Sequence, residues 1–143
     1  MQDTSALAHI RLLLLGTFVV GSIGTLTELL LLGHFESAAQ FVPLVLLAVG
    51  LAEVVWHVMA PGKASVRALQ VTMVLFIVSG GIGAGLHYDG NVEFELEMYP
   101  SMRGLELIGK TLTGATPVLA PGTMVLLGLV GLAHTYQHPK GSL

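Results

Sequence analysis

"LAHIRLLLLGTFVVGSIGTLTELLLLG", residues 7–33, carries one arginine near its start and one glutamate near its end, with no charge between them. About 20 apolar residues in a helix cross a hydrocarbon core about 30 Å thick. Inside lipid the backbone must satisfy its own hydrogen bonds, so such a stretch is expected to be a helix. It is longer than the core of a secretory signal, holds an interior acid and precedes no obvious small-residue cleavage site. It therefore reads as a retained span.

Three further apolar stretches follow, at about residues 41–60, 68–86 and 117–136. The chain is 143 residues long, 53% hydrophobic and only 10% charged, with a mean hydropathy of +0.79. A soluble domain is about a quarter charged, so this composition belongs in a bilayer. A net charge of −3 and the lack of any basic run exclude nucleic acid as a partner. The absence of cysteine excludes disulfides, thiolate metal sites and cysteine nucleophiles.

The connections "GHFESAAQF" (33–41) and "PGKASVR" (61–67) are short, which favours antiparallel neighbours. The expected fold is a single all-α domain, an integral membrane four-helix bundle running up-down-up-down. The long third connection, about residues 87–116, is expected to form one structured extracytoplasmic loop. Within it Val92, Phe94, Leu96 and Met98 alternate with Glu93, Glu95 and Glu97, a period that suggests a short extended segment with an acidic face. "MRGLELIGKTL" (102–112) suggests an amphipathic helix on the membrane surface, with Leu105, Leu107, Ile108 and Leu112 as its apolar positions.

Arg11, Lys63, Arg67 and Lys140 fall on one side of this topology, and Arg103 and Lys110 on the other. The excess places both termini in the cytoplasm. Gly81 and Gly85 share a helix face, as do Gly16 and Gly24, while Gly128 and Gly131 mark the fourth span. Small residues so spaced allow close helix approach, inside the bundle or between copies. Pro117 and Pro121 are expected to open the fourth span, where a missing N–H costs least.

An ionisable group deep in a spanning helix costs about 2.5–3.5 kcal/mol on insertion scales. Glu53 is the deeper of two such acids; Glu28 lies toward the outer end of the first span and is expected to face inward. Four histidines fall at the ends of four spans and sort into two layers. His34 and His87 form the outer layer, and His57 and His134 the inner one, with His9 close by. His138 also lies on the inner side, but Pro139 follows it and the helix is expected to have finished. Each layer would set two histidines across the core from one another, an arrangement that suits b-type haem or a transition-metal ion.

Glu53 and His57, four residues apart, share a face, so Glu53 joins His57 as a metal-ligand candidate or orients its ring. Glu28 and His34 differ by about 120° in helical phase and come together only if Gly33 re-aims His34. Glu28, His34 and His87 complete the outer metal candidates. The spacing supplies no HExxH or Glu-x-x-His pair, and no phosphate loop, nucleophile elbow or triad is present.

The runs "ELLLLGHFES" (28–37), "LHYDGNVEFELEMYP" (86–100) and "ATPVLAPGTMVLLGLVGLAHTYQHP" (115–139) resemble those of a group of small four-span bacterial membrane proteins. The resemblance implies a bacterial inner-membrane location and carries over no catalytic residue. Three functions are expected from these readings. The first is a histidine-ligated cofactor protein for electron transfer or sensing. The second is an accessory or scaffold subunit of a larger membrane complex, as a homo-oligomer or with partner subunits. The third is an oligomeric solute or proton pathway using Glu28 and Glu53.

Overall fold

A computed structural model describes residues 2–138 of the chain, and Pro139 and Lys140 lie outside the described residues. Among the described residues the regular structure is all helical, without strands, in the order α1 (Gln2–Leu31), α2 (Ala38–Met59), α3 (Lys63–Met98), α4 (Gly104–Leu112) and α5 (Gly122–Thr135). α1, α2 and α3 are each long and apolar enough to cross a membrane, while α5 is apolar but only 14 residues long.

The connections are set by local chemistry. α1 ends at Gly33, whose φ of +66° is the left-handed conformation that glycine adopts without strain. His34 N–H donates to Leu29 O at 2.9 Å and Gly33 N–H to Leu30 O at 3.1 Å, a Schellman stop that satisfies the last carbonyls. α2 opens on a capping box. Ser37 Oγ accepts from Gln40 N–H at 3.4 Å, and Gln40 Oε1 accepts from Ser37 N–H at 3.1 Å.

Neighbouring pairs are α1–α2, α2–α3, α3–α5 and α5–α1, so α1 lies diagonal to α3 and α2 to α5. The start of α1 meets the end of α5 through Arg11 and Gln137, and the end of α2 meets the start of α3 through His57 and Ser65. These four helices therefore alternate in direction. Their shared core holds Phe18, Leu47, Val54, Leu69, Met73, Phe76, Met124 and Leu127. The Phe18 and Phe76 rings stand 5.8 Å apart against Gly50, where a Cβ would lie 3.2 Å from Phe18 and 3.3 Å from Phe76.

Two expectations are corrected. Residues 87–98 are not loop or strand: they continue α3, which reaches 36 residues. His87, Tyr88, Asn91, Val92, Glu95 and Leu96 are the sheltered positions there, while Phe94 and Met98 are exposed, a helical period rather than an alternating one. Extending an existing helix needs no new nucleus, and Glu, Leu and Met favour it over the single β-branched Val92. The following segment folds back along α3 as α4, pinned by buried Asn91. Its Nδ2 donates to Thr111 O at 2.9 Å and Thr116 O at 2.7 Å, and its Oδ1 accepts from Thr116 N–H at 3.0 Å.

The second correction concerns the fourth span. Pro117 does not open a helix; residues 118–121 are turns, and only Pro121 sits at the start of α5. The glycines also divide. Gly128 and Gly131 pack directly on Met73 of α3, and Gly80 on Pro121 and Val125, whereas Gly16, Gly24, Gly81 and Gly85 face open space.

Candidate metal centre

His57 occupies the last turn of α2. The chain then turns through Pro61 and Gly62 and places Ser65 in the first turn of α3. Ser65 Oγ accepts from Gly62 N–H at 3.1 Å and faces two carbonyls, Gly62 O at 3.0 Å and Ala60 O at 3.4 Å. A hydroxyl has one proton, and these carbonyls can only accept it. The oxygen also lies 3.0 Å from His57 Nδ1. When the hydroxyl proton goes to a carbonyl, the ring donates from Nδ1 and leaves Nε2 as a bare lone pair.

His134, in the last turn of α5, is fixed in that tautomer by a backbone carbonyl. Its Nδ1 lies 3.0 Å from the backbone oxygen of Arg11 on α1, which can only accept. Nε2 of His134 is buried without a hydrogen-bond partner. His57 and His134 are each 5% exposed. Their rings stand edge to face with centroids 5.7 Å apart.

His138 lies beyond the helix, as its sequence context suggests, yet it joins this pair. α5 stops at Thr135; Tyr136 is extended, and Gln137 takes a left-handed φ of 45°. The turn closes with His138 N–H donating to Thr135 O at 3.2 Å. Arg11 Nη2 donates to Tyr136 O at 3.3 Å and Gln137 O at 2.9 Å. The His138 ring comes to 5.0 Å from that of His57 and 5.6 Å from that of His134. One ring nitrogen from each of the three lies within 4.8 Å of the others, close enough to hold a metal ion.

Three imidazoles around one point form a donor set for a borderline first-row ion such as zinc, cobalt, nickel or copper, rather than for magnesium or calcium. A tetrahedral zinc with Zn–N near 2.0–2.1 Å needs its ligand nitrogens about 3.4 Å apart, a small closure from the present separation. His134 already carries the Nδ1–H bond to a backbone oxygen that fixes tautomer and orientation at metal sites, and His57 Nδ1 is set against Ser65 Oγ. Three protein ligands leave a fourth position for water or another ligand.

The remaining candidates lie elsewhere. Glu53, one turn before His57, accepts from Thr72 Oγ1 at 3.0 Å through Oε1, and its Oε2 is buried without a partner. It is outside the three-histidine group. His34 and His87 face each other with centroids 6.4 Å apart, and His87 Nδ1 lies 2.9 Å from Pro117 O, to which it donates. Burial, and then the neighbouring His87, hold the His34 pKa below the ordinary histidine value. Glu28, expected to face inward, is exposed on α1 because the last turns of this helix leave that face open.

Sequence reasoning missed His138, Ser65 and Arg11 as parts of one centre. The four-residue spacing of His134 and His138 was a usable signal, discounted because the helix ends between them. Nothing in the sequence marks Ser65 or the carbonyl of Arg11. No family model, curated protein or solved structure matches this chain.

Proposed function

We propose that this chain is an integral membrane protein that binds one first-row transition-metal ion, of the zinc class, at the cytoplasmic end of a four-helix bundle, and acts in metal sensing. The observation that carries this reading is the convergence of His57, His134 and His138, with the Nδ1 atoms of two rings held against Ser65 Oγ and the Arg11 carbonyl. The ion would tie α2, α5 and the C-terminal turn together. Its arrival would thus change how separate elements pack, which is what a sensor requires.

The membrane setting is supported by the three long apolar helices and by large side chains left open on their outer faces. Leu13, Val20 and Leu31 are 71%, 73% and 83% exposed, an arrangement suited to lipid and costly in water. α5 spans about 21 Å at 1.5 Å per residue, and the turns before it make up depth with Val118 buried and Pro121 packed on Gly80 and Gly83 of α3. Non-helical backbone is tolerated at depth where protein covers it. The distribution of Lys and Arg favours both termini inside, and the resemblance to small bacterial membrane proteins favours the inner membrane. α4, with Leu105 86% exposed beside Arg103 and Lys110, suits the opposite surface of the bilayer.

A single ion is favoured over b-type haem by the third histidine. Haem takes one or two axial ligands on opposite faces, and His138 would have no place in that geometry. The test is equilibrium dialysis of chelator-stripped protein in nanodiscs against zinc, followed by elemental analysis. One ion per chain is expected, lost in His57→Ala and His134→Ala while helical content is retained. No uptake by the wild type, or full uptake by both variants, would sink the proposal.

A further inference from the structure

The turn that carries His138 is held from α1. Beyond Thr135 the backbone leaves the helix, and the Tyr136 and Gln137 carbonyls are taken up by the Arg11 guanidinium at 3.3 and 2.9 Å. The carbonyl of the same residue, Arg11, accepts from His134 Nδ1. One residue thus orients one ligand through its backbone and places another through its side chain. α1 itself contributes no histidine to the group.

We propose that Arg11 is the positioning residue of the metal centre, docking the C-terminal turn so that His138 converts a two-histidine pair into a three-histidine site. The inference rests on the metal-binding reading above. The two N–H bonds of Nη2 lie in the rigid guanidinium plane and meet the two carbonyls in fixed directions, which a freely rotating lysine ammonium does less well. Arg11 is a poor neighbour for a cation on charge alone, so its removal without any positioning role would tighten metal binding. A cation closing the carbonyls of a helix end would add stability but would leave ligand number unchanged. The two roles therefore predict opposite changes in affinity.

The experiment uses the full chain in nanodiscs, with Co2+ as the probe and its visible absorption reporting ligand number and geometry. Arg11→Met, His138→Ala, the double variant and Arg11→Lys are compared, with thermal stability of each metal-free protein measured alongside. Arg11→Met is expected to weaken binding about 10–100-fold and to give the spectrum of His138→Ala. The double variant should bind no more weakly than His138→Ala, because both changes remove the same interaction. Arg11→Lys should recover part of the affinity, and it serves as the readout if Arg11→Met does not fold. Unchanged or tighter binding by the Arg11 variants, or losses that add in full in the double variant, would overturn the proposal. A wild-type chain that takes up no Co2+ would instead reject the metal reading on which it depends.

Discussion

Asn91 is 1% exposed and carries three hydrogen bonds across to the segment around α4. Replacing it by alanine strands Thr116 N–H and the Thr111 and Thr116 carbonyls in a sheltered site. The expected loss is about 2–4 kcal/mol, seen in denaturant unfolding and as faster amide exchange over α4. His34 gives a second residue-scale outcome. Its folded pKa is lowered by burial and by His87, so the unfolded chain takes up the proton first as pH falls. Stability is therefore full above the ordinary value of 6.5 and declines below it until the folded group also protonates. Unfolding midpoints should fall between pH 7 and 5, and His34→Gln should flatten that slope. A slope unchanged in the variant would assign it to other groups. Gly33 was legible as a helix stop; beyond its left-handed turn the His34 ring faces His87, while Glu28, which a re-aimed His34 was expected to meet, is exposed on α1. The pairing of Asn91 with Thr111 and Thr116 was not legible, because it joins residues at least 20 apart in the chain with no sequence pattern linking them.

α3 and α5 meet through glycine. A Cβ on Gly128 would lie 2.7 Å from the Met73 carbonyl oxygen, which cannot rotate away, whereas one on Gly16 or Gly24 meets nothing. Gly128→Ala should cost about 1–3 kcal/mol by overpacking, and Gly16→Ala should leave unfolding unchanged or gain slightly from helix propensity. Equal effects at both positions would contradict this packing. Glycine spacing alone grouped these residues together, since it identifies a shared face without showing what lies opposite. The same limit explains residues 92–98. Alternation of apolar and acidic side chains there described a strand, but a helix already running through α3 continued over them. Pro121 was correctly expected at the start of a helix; Pro117, four residues earlier, instead accepts from Ala120 N–H in a turn.

For the whole molecule, the run of apolar residues between two charges was enough to expect helices, and the helical fold follows it. The diagonal placement of α2 and α5 could be anticipated from short connections, and it brings His57 to His134. The third histidine required a turn, a left-handed Gln137 and an arginine from the other end of the sequence, none of which has a periodic signature. One ion shared by these three imidazoles is tested by zinc K-edge X-ray absorption on protein loaded at one equivalent in nanodiscs. Three imidazole nitrogens at about 2.0–2.1 Å from the zinc are expected, falling to two in His138→Ala. An oxygen-dominated shell, or one unaffected by substitution of His57, His134 or His138, would contradict it.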